Sequence, residues 1–278
     1  MMGLQNLGDM QNLHTHTTYC DGALTPEEMV LAAISRGYGS LGFSEHSSVA
    51  TVVEIYAMST DTTLEYIEEI NALKEKYKGQ IEIFLGIEQD IFTESCPEGL
   101  DYIIGTVHHV KKEGGILTVD AGPKSQKKMV DAFFGGDYYS MAESYFATVA
   151  EVVNKTNATI VGHFDLVTKY NFDGSQFDQT HRRYIYSALD AMDEILKRCN
   201  LFEVNTGAMY RLRKPEPYPS VFFLKELLKR GGEVILSSDS HDAESLCYKF
   251  DEMRELLKTL GFKYMKRLTQ SGFIDVRL

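Results

Sequence analysis

Seven short apolar runs recur along this chain, separated by stretches of helical spacing, and almost every run ends in histidine or an acid. Gln11 to His16, Ser40 to Phe43, Ile81 to Glu88, Asp101 to His108, Ala158 to His163, Leu201 to Gly207 and Glu233 to Leu236 read as strands. Helical patterns cover Thr25 to Arg36, Thr63 to Tyr77, Asp137 to Lys155, Gln179 to Arg198, Ser220 to Arg230 and Ala243 to Leu260. The first opens on Thr25-Pro-Glu-Glu28, with Thr as N-cap, Pro at the first helical position and Glu at the third. Lys111 to Gly136 reads as a long loop with a helical piece, and Tyr264 to Leu278 as a tail with short strands. Strands alternating with helices at this spacing lie parallel and are joined by right-handed crossovers. The architecture is therefore a closed (β/α) barrel or an open doubly wound sheet. Either one gathers its chemistry at the C-terminal ends of the strands.

Those ends are where the histidines sit. Of the eight (14, 16, 46, 108, 109, 163, 181 and 241), only His181, at a helix start, reads as a surface residue. His14 and His16 are two apart, as are Asp239 and His241, so each pair leaves its strand end on one face. Glu88 and Asp21 join the same rim. Left uncompensated, so many imidazoles and carboxylates would repel or stay poorly solvated. Bound cations remove the difficulty, and carboxylates that bridge metals are how multinuclear hydrolase sites are assembled.

The bulk composition, 24% charged and 44% hydrophobic, is an ordinary globular balance with ample material for a core. A formal net charge of −12 argues against a nucleic-acid partner, because phosphate-backbone binding needs clustered Lys and Arg. No Lys/Arg cluster stands out beyond Lys124–Lys128. Four widely spaced cysteines without a CxxC pair read as reduced thiols, with Cys20 structural, in a cytoplasmic protein. The chain has no apolar run of membrane-spanning length, and Met1-Met-Gly-Leu-Gln5 is not a signal peptide; no membrane partner is expected. No repeat or linker interrupts the chain, so residues 1–278 are expected to form one domain.

His14-x-His16 with Asp21, then His46, Glu88, His108, His163 and Asp239-x-His241, resemble in order the motifs of the polymerase and histidinol phosphatase (PHP) family. The resemblance covers nearly the whole chain. It implies a distorted (β/α)7 barrel holding three divalent metal ions, of zinc, manganese or iron, at the strand C-terminal ends. Carried over residue by residue, it implies one ion on His14, His16, Glu88 and Asp239. Glu88 would bridge to a second, held by His108 and His163, and a third would sit on Asp21, His46 and His241. His108 aligns with the family motif; the neighbouring His109 is left as a substrate-side candidate. Two positions depart from the pattern. Asp21 stands seven residues after His14, where many histidinol phosphatases carry His at eight, and Glu45 precedes His46 where Asp is usual.

Within the family the likeness is to histidinol-phosphate phosphatases, through Glu203-Val-Asn-Thr-Gly207, the arginine after it, Glu216-Pro-Tyr-Pro-Ser220 and Ser237-Ser-Asp-Ser-His241. The implied activity is hydrolysis of a small phosphate monoester, L-histidinol phosphate, in histidine biosynthesis. His14, His16, Glu88, Asp239 and Arg211 would carry the chemistry. Arg211 or Arg213, in a loop, would clamp the phosphate, Arg211 being nearer the strand end; Lys169 is a further candidate. Asp165 is equally a hydrogen-bond acceptor behind His163 or a substrate contact. No G-x-S-x-G elbow is visible, which leaves water as the nucleophile. The rival expectations are a phosphoesterase acting on a nucleotide or sugar phosphate, a 3′-exonuclease, and a barrel that only binds partners.

Overall fold

Seven strands form one parallel sheet whose order follows the chain: β1 (Gln11–Asn12), β2 (Ser40–Phe43), β3 (Glu82–Asp90), β4 (Tyr102–Thr106), β5 (Ile160–Val161), β6 (Leu201–Asn205) and β7 (Glu233–Ser237). The computed structural model describes residues 8, 10–49, 57–93 and 96–278. The N-terminal Met1–Gln5 lies outside them.

The sheet nearly closes on itself. Past the end of β1, Thr15 bridges in parallel to Ser240, beyond β7; His16 N donates to Ser240 O at 2.8 Å and Ser240 N to His14 O at 3.0 Å. The buried Asn12 side chain stitches the same seam, donating to Thr15 Oγ1 at 3.0 Å and Ser240 Oγ at 3.2 Å while accepting from Ser238 N at 3.0 Å. This is the expected (β/α)7 barrel, distorted where β1 and β5 shrink to two residues each.

Helices wrap the outside. Pro26–Ser35 starts on the full capping box read from the sequence, and Thr60–Lys76 is capped by Ser59. Apolar side chains fill two clusters, one containing Phe43, Tyr66 and Leu85, the other Phe146, Phe202 and Phe223. Burying each such side chain contributes about 1.5–3 kcal/mol, enough in sum to hold the strand ends as a rigid rim. Tyr102 occupies the barrel interior, and its hydroxyl donates to Leu13 O at 2.5 Å and Phe43 O at 2.8 Å. Gly86 makes the room: a Cβ there would lie 2.3 Å from the Tyr102 ring.

Several elements differ from the sequence reading. The segment read as a loop from Lys111 begins with an antiparallel hairpin, His109–Lys112 against Gly115–Thr118, before the helix Pro123–Phe133. Glu113 and Gly114 make its two-residue turn, and Gly114 and the strand residue Gly115 have φ of 104° and 138°, which side chains rarely adopt. The last helix starts at Phe250, because Lys249 sits in the left-handed region at φ 59°. Arg211 lies in no loop; it ends the short helix Gly207–Arg211. The C-terminal strands are a true hairpin, Tyr264–Thr269 with Gly272–Arg277. No helix among the described residues is long and apolar enough to cross a membrane.

Candidate metal centre

The rim is assembled by short extensions of the barrel strands. His14 and His16 follow β1, His46 follows β2, Glu88 lies within β3, His108 follows β4, His163 follows β5, and Asp239 and His241 follow β7. Only Asp21 comes from a turn, that preceding the helix Pro26–Ser35. All nine residues converge.

Four of their atoms enclose a space of definite size. Glu88 Oε2 lies 3.3 Å from His14 Nε2 and 3.4 Å from His16 Nε2, and Asp239 Oδ1 lies 3.8 and 3.3 Å from the same two nitrogens. A tetrahedron with bonds of ~2.0–2.1 Å, as at zinc, has edges of roughly 3.3–3.4 Å. His14 Nε2 and His16 Nε2 are buried without a hydrogen-bond partner. Burying two such atoms unsatisfied would be costly, and a cation among them removes the cost. The donor set fits a divalent metal.

The other oxygen of Glu88 serves a second group. Oε1 is 2.9 Å from His163 Nε2 and 3.4 Å from His108 Nε2. A third gathers around Asp21 Oδ1, with His241 Nε2 at 3.1 Å and His46 Nε2 at 3.6 Å, while His46 Nδ1 approaches Glu88 Oε2 at 2.8 Å. Cys20, read from the sequence as a structural thiol, lies inside the centre: its Sγ is 3.3 Å from His16 Nδ1 and falls in a potential ligand group with His16, Asp21 and His46.

The backbone is strained where it matters. Asp239 has φ 47°, a left-handed conformation that Asp tolerates better than most residues. Gly207 packs against it; a Cβ there would come within 2.9 Å of Asp239 Cβ.

Electrostatics follow from the crowding. Burial alone would depress His14, but the carboxylates of Glu203, Glu88 and Asp239 outweigh it and hold its pKa well above the ordinary value. Burial likewise opposes, and Glu88 and Asp21 overcome, a rise of His46 to about 9. His108 is raised against burial by Glu88 and Asp90. His16 goes the other way, to about 3, through burial and then the neighbouring His46 and His241. Despite burial, the histidines around it keep Glu88 well below the usual carboxylate range. With its pKa raised to about 9, His46 is expected to hold a proton at neutral pH when no metal is bound. Titrating a divalent cation into the metal-free protein at pH 7 is expected to expel it. The heat measured in buffers of different ionisation enthalpy should vary with buffer; a buffer-independent heat would contradict the protonated resting state.

Residues 12–207 match the family model for the PHP domain. The chain belongs to the PHP family. A Deinococcus radiodurans protein named "Probable histidinol-phosphatase" is 28% identical, over 91% of this chain and 96% of its own. The Lactococcus lactis histidinol-phosphatase is 27% identical over 90% of both chains. Among solved structures, histidinol phosphate phosphatase from Lactococcus lactis subsp. lactis, complexed with zinc, L-histidinol and phosphate, superposes with a TM-score of 0.72. It is 22% identical, and the match covers 96% of this chain and 99% of the other.

The converged residues of this PHP barrel, His14 and His16 apart, border a cavity of about 420 Å³. Arg211 and Lys169 border it; neither Arg213 nor His109 does. Arg213 is exposed beyond the helix end, at φ 58°. His109 is the first residue of the hairpin, so its side chain leaves the strand opposite to that of His108; it is buried, with Nδ1 3.2 Å from Asp90 Oδ2. Asp165 does not border the cavity either. It is buried, accepts from Ser220 N at 3.1 Å, and is raised by burial to about 6. Arg211 holds Asp239 with both ends of its fork, NH2 donating to Oδ2 at 2.8 Å and NH1 to Oδ1 at 3.3 Å.

Three acids carry no role in the sequence reading, although Glu203 stands in one of the quoted motifs. Glu203, fully buried in β6, has Oε2 2.8 Å from His14 Nδ1 and accepts from His163 N at 2.5 Å, Asn205 Nδ2 at 2.9 Å and Ser237 Oγ at 2.5 Å. A carboxylate in the apolar run Leu201-Phe-Glu-Val204 was the signal available. Asp90 shares a strand face with Glu88 and lies 3.4 Å from His108 Nδ1. Asp120, just past the hairpin, borders the cavity and pairs with Lys169 at 2.9 Å. Glu45, one of the two departures, is buried and accepts from Thr17 N at 3.1 Å and Thr17 Oγ1 at 2.6 Å.

Proposed function

We propose that this protein is a metal-dependent phosphatase that hydrolyses L-histidinol phosphate to L-histidinol and phosphate, as a step of histidine biosynthesis in the cytoplasm. The observation that carries the reading is Glu88, a buried carboxylate whose two oxygens each face their own set of imidazoles. That is the arrangement of a bridging ligand. Likeness to histidinol phosphatases along nearly the whole chain narrows the substrate.

In this reading three divalent ions (zinc, manganese or iron) are held by His14, His16, Glu88 and Asp239; by Glu88, His108 and His163; and by Asp21, His46 and His241. Bound there, they supply Lewis acidity toward the phosphoryl oxygens and the attacking water. Arg211 and Lys169 steer the phosphate into the cavity and neutralise its charge. Arg213 and His109, away from the cavity, are set aside as substrate contacts. Asp120 gives the cavity wall a carboxylate complementary to the ammonium of histidinol. No separate substrate domain is required, and residues 1–278 act as one unit. The net charge of −12 disfavours a nucleic-acid substrate.

Phosphate release from a panel of monoesters tests this directly. L-histidinol phosphate is expected to give the highest kcat/KM, ahead of nucleotide and sugar phosphates, and stripping with a chelator to abolish turnover until metal is restored. A nucleotide or sugar phosphate leading the panel would overturn the substrate, and activity surviving complete chelation the mechanism.

A further inference from the structure

We propose that Cys20 is a positioning residue whose thiol links the metal-ligand histidine His16 to the buried carboxylate of Glu45. The inference rests on the metal reading of His16 and adds to it a residue that this reading leaves unused. His16 Nε2 faces Glu88 and Asp239, the donors of the first metal group, at 3.4 and 3.3 Å. A metal at Nε2 requires the proton on Nδ1, and a ligating imidazole that cannot donate its other N–H is poorly oriented and a weaker base. For His14 the acceptor is the carboxylate of Glu203, at 2.8 Å from Nδ1. His16 has no carboxylate there. Its Nδ1 meets Cys20 Sγ at 3.3 Å, and Sγ in turn donates to Glu45 Oε2 at 2.7 Å.

The chain thus runs Nδ1–H to sulfur, then S–H to carboxylate, each group donating once. Glu45 is fully buried and anchored by Thr17 N and Thr17 Oγ1, so the far end of the relay is fixed. A thiol is only a weak donor and acceptor, but it is small enough to stand between ring and carboxylate without displacing either. Cys20 could instead be a ligand of the third metal group, since it falls in a potential ligand group with Asp21 and His46. Two observations favour the relay: the sulfur lies nearer Glu45 Oε2, at 2.7 Å, than Asp21 Oδ1 of the third group, at 3.4 Å, and His16 turns Nδ1, not its metal-facing nitrogen, toward sulfur.

Cobalt(II) titration of the full chain separates these roles. With the relay, native protein binds cobalt and shows no near-ultraviolet thiolate-to-cobalt charge-transfer band. Cys20→Ala then binds cobalt about 10–100-fold more weakly, and Cys20→Ser, which can still accept and donate, recovers most of the loss. A charge-transfer band in the native protein that vanishes in Cys20→Ala makes Cys20 a ligand and overturns the proposal. So does a Cys20→Ala protein with native cobalt affinity. Absence of cobalt binding to the native chain would sink the metal reading itself and the relay with it. The native spectrum and the nearly isosteric Cys20→Ser decide the matter even if Cys20→Ala fails to fold.

Discussion

Replacing Glu88 by Gln is expected to lower kcat/KM by about 10³-fold or more, a loss of about 4 kcal/mol in transition-state stabilisation, and to remove most of the bound metal. The size follows from what one carboxylate does here. Its Oε2 faces His14 and His16 and its Oε1 faces His108 and His163, so a single substitution strikes two ligand groups at once. Losing one hydrogen-bond donor to a developing charge already costs about 10²–10³-fold in other hydrolases. An amide offers one oxygen where the carboxylate offers two, carries no charge, and turns an NH₂ toward one pair of imidazoles. Five ring nitrogens then share a site whose central anion is gone, His46 Nδ1 at 2.8 Å among them. Elemental analysis alongside kinetics gives the check. A Glu88→Gln protein that keeps its full metal content and more than a tenth of its activity would show that Glu88 is not the bridge.

What the sequence disclosed was the rim; it left the support behind the rim mostly hidden. His14, His16, Glu88, His108, His163, Asp239 and His241 were legible because strand alternation is local: a histidine ending an apolar run must emerge at the sheet's edge, on a face set by its parity. The same local rule separates His108 from His109, yet it acts only once the hairpin beginning at His109 is known, and the span from Lys111 reads as loop in the sequence. Glu203 had a visible oddity, a carboxylate within an apolar run. Its role depends on His14, 189 positions away, and no local pattern encodes that pairing. Asp120 gave no signal at all. It meets the cavity only because the hairpin carries the chain back over the strand ends, where Lys169 awaits it. Arg211 reads as a phosphate clamp, and its engagement with Asp239 adds a second duty that no local pattern encodes, because the two residues stand 28 positions apart.

The buried Glu203 is where the second large effect is expected. Glu203→Gln should weaken metal binding about 10–100-fold, with kcat/KM falling in parallel and recovering partly at high metal concentration. The substitution is nearly isosteric, so the loss arises from protons rather than packing. Glu203 Oε2 accepts from Ser237 Oγ and faces His14 Nδ1, and Oε1 accepts from His163 N and Asn205 Nδ2. A glutamine must keep its oxygen on the Oε1 side, because two N–H groups point there and a backbone amide cannot turn away. Its NH₂ therefore replaces Oε2. The Ser237 hydroxyl can rotate and accept, but His14 Nδ1–H cannot: donor would face donor. The ring escapes by moving its proton to Nε2, the nitrogen that faces Glu88 and Asp239, and a protonated nitrogen cannot bind metal. Ser237→Ala removes a partner of the same oxygen without forcing that tautomer, and is expected to cost far less metal affinity. Isothermal titration of metal into both variants distinguishes the two. Equal losses in Glu203→Gln and Ser237→Ala, or a Glu203→Gln protein with native affinity, would mean that Glu203 stabilises the fold without setting the proton on His14.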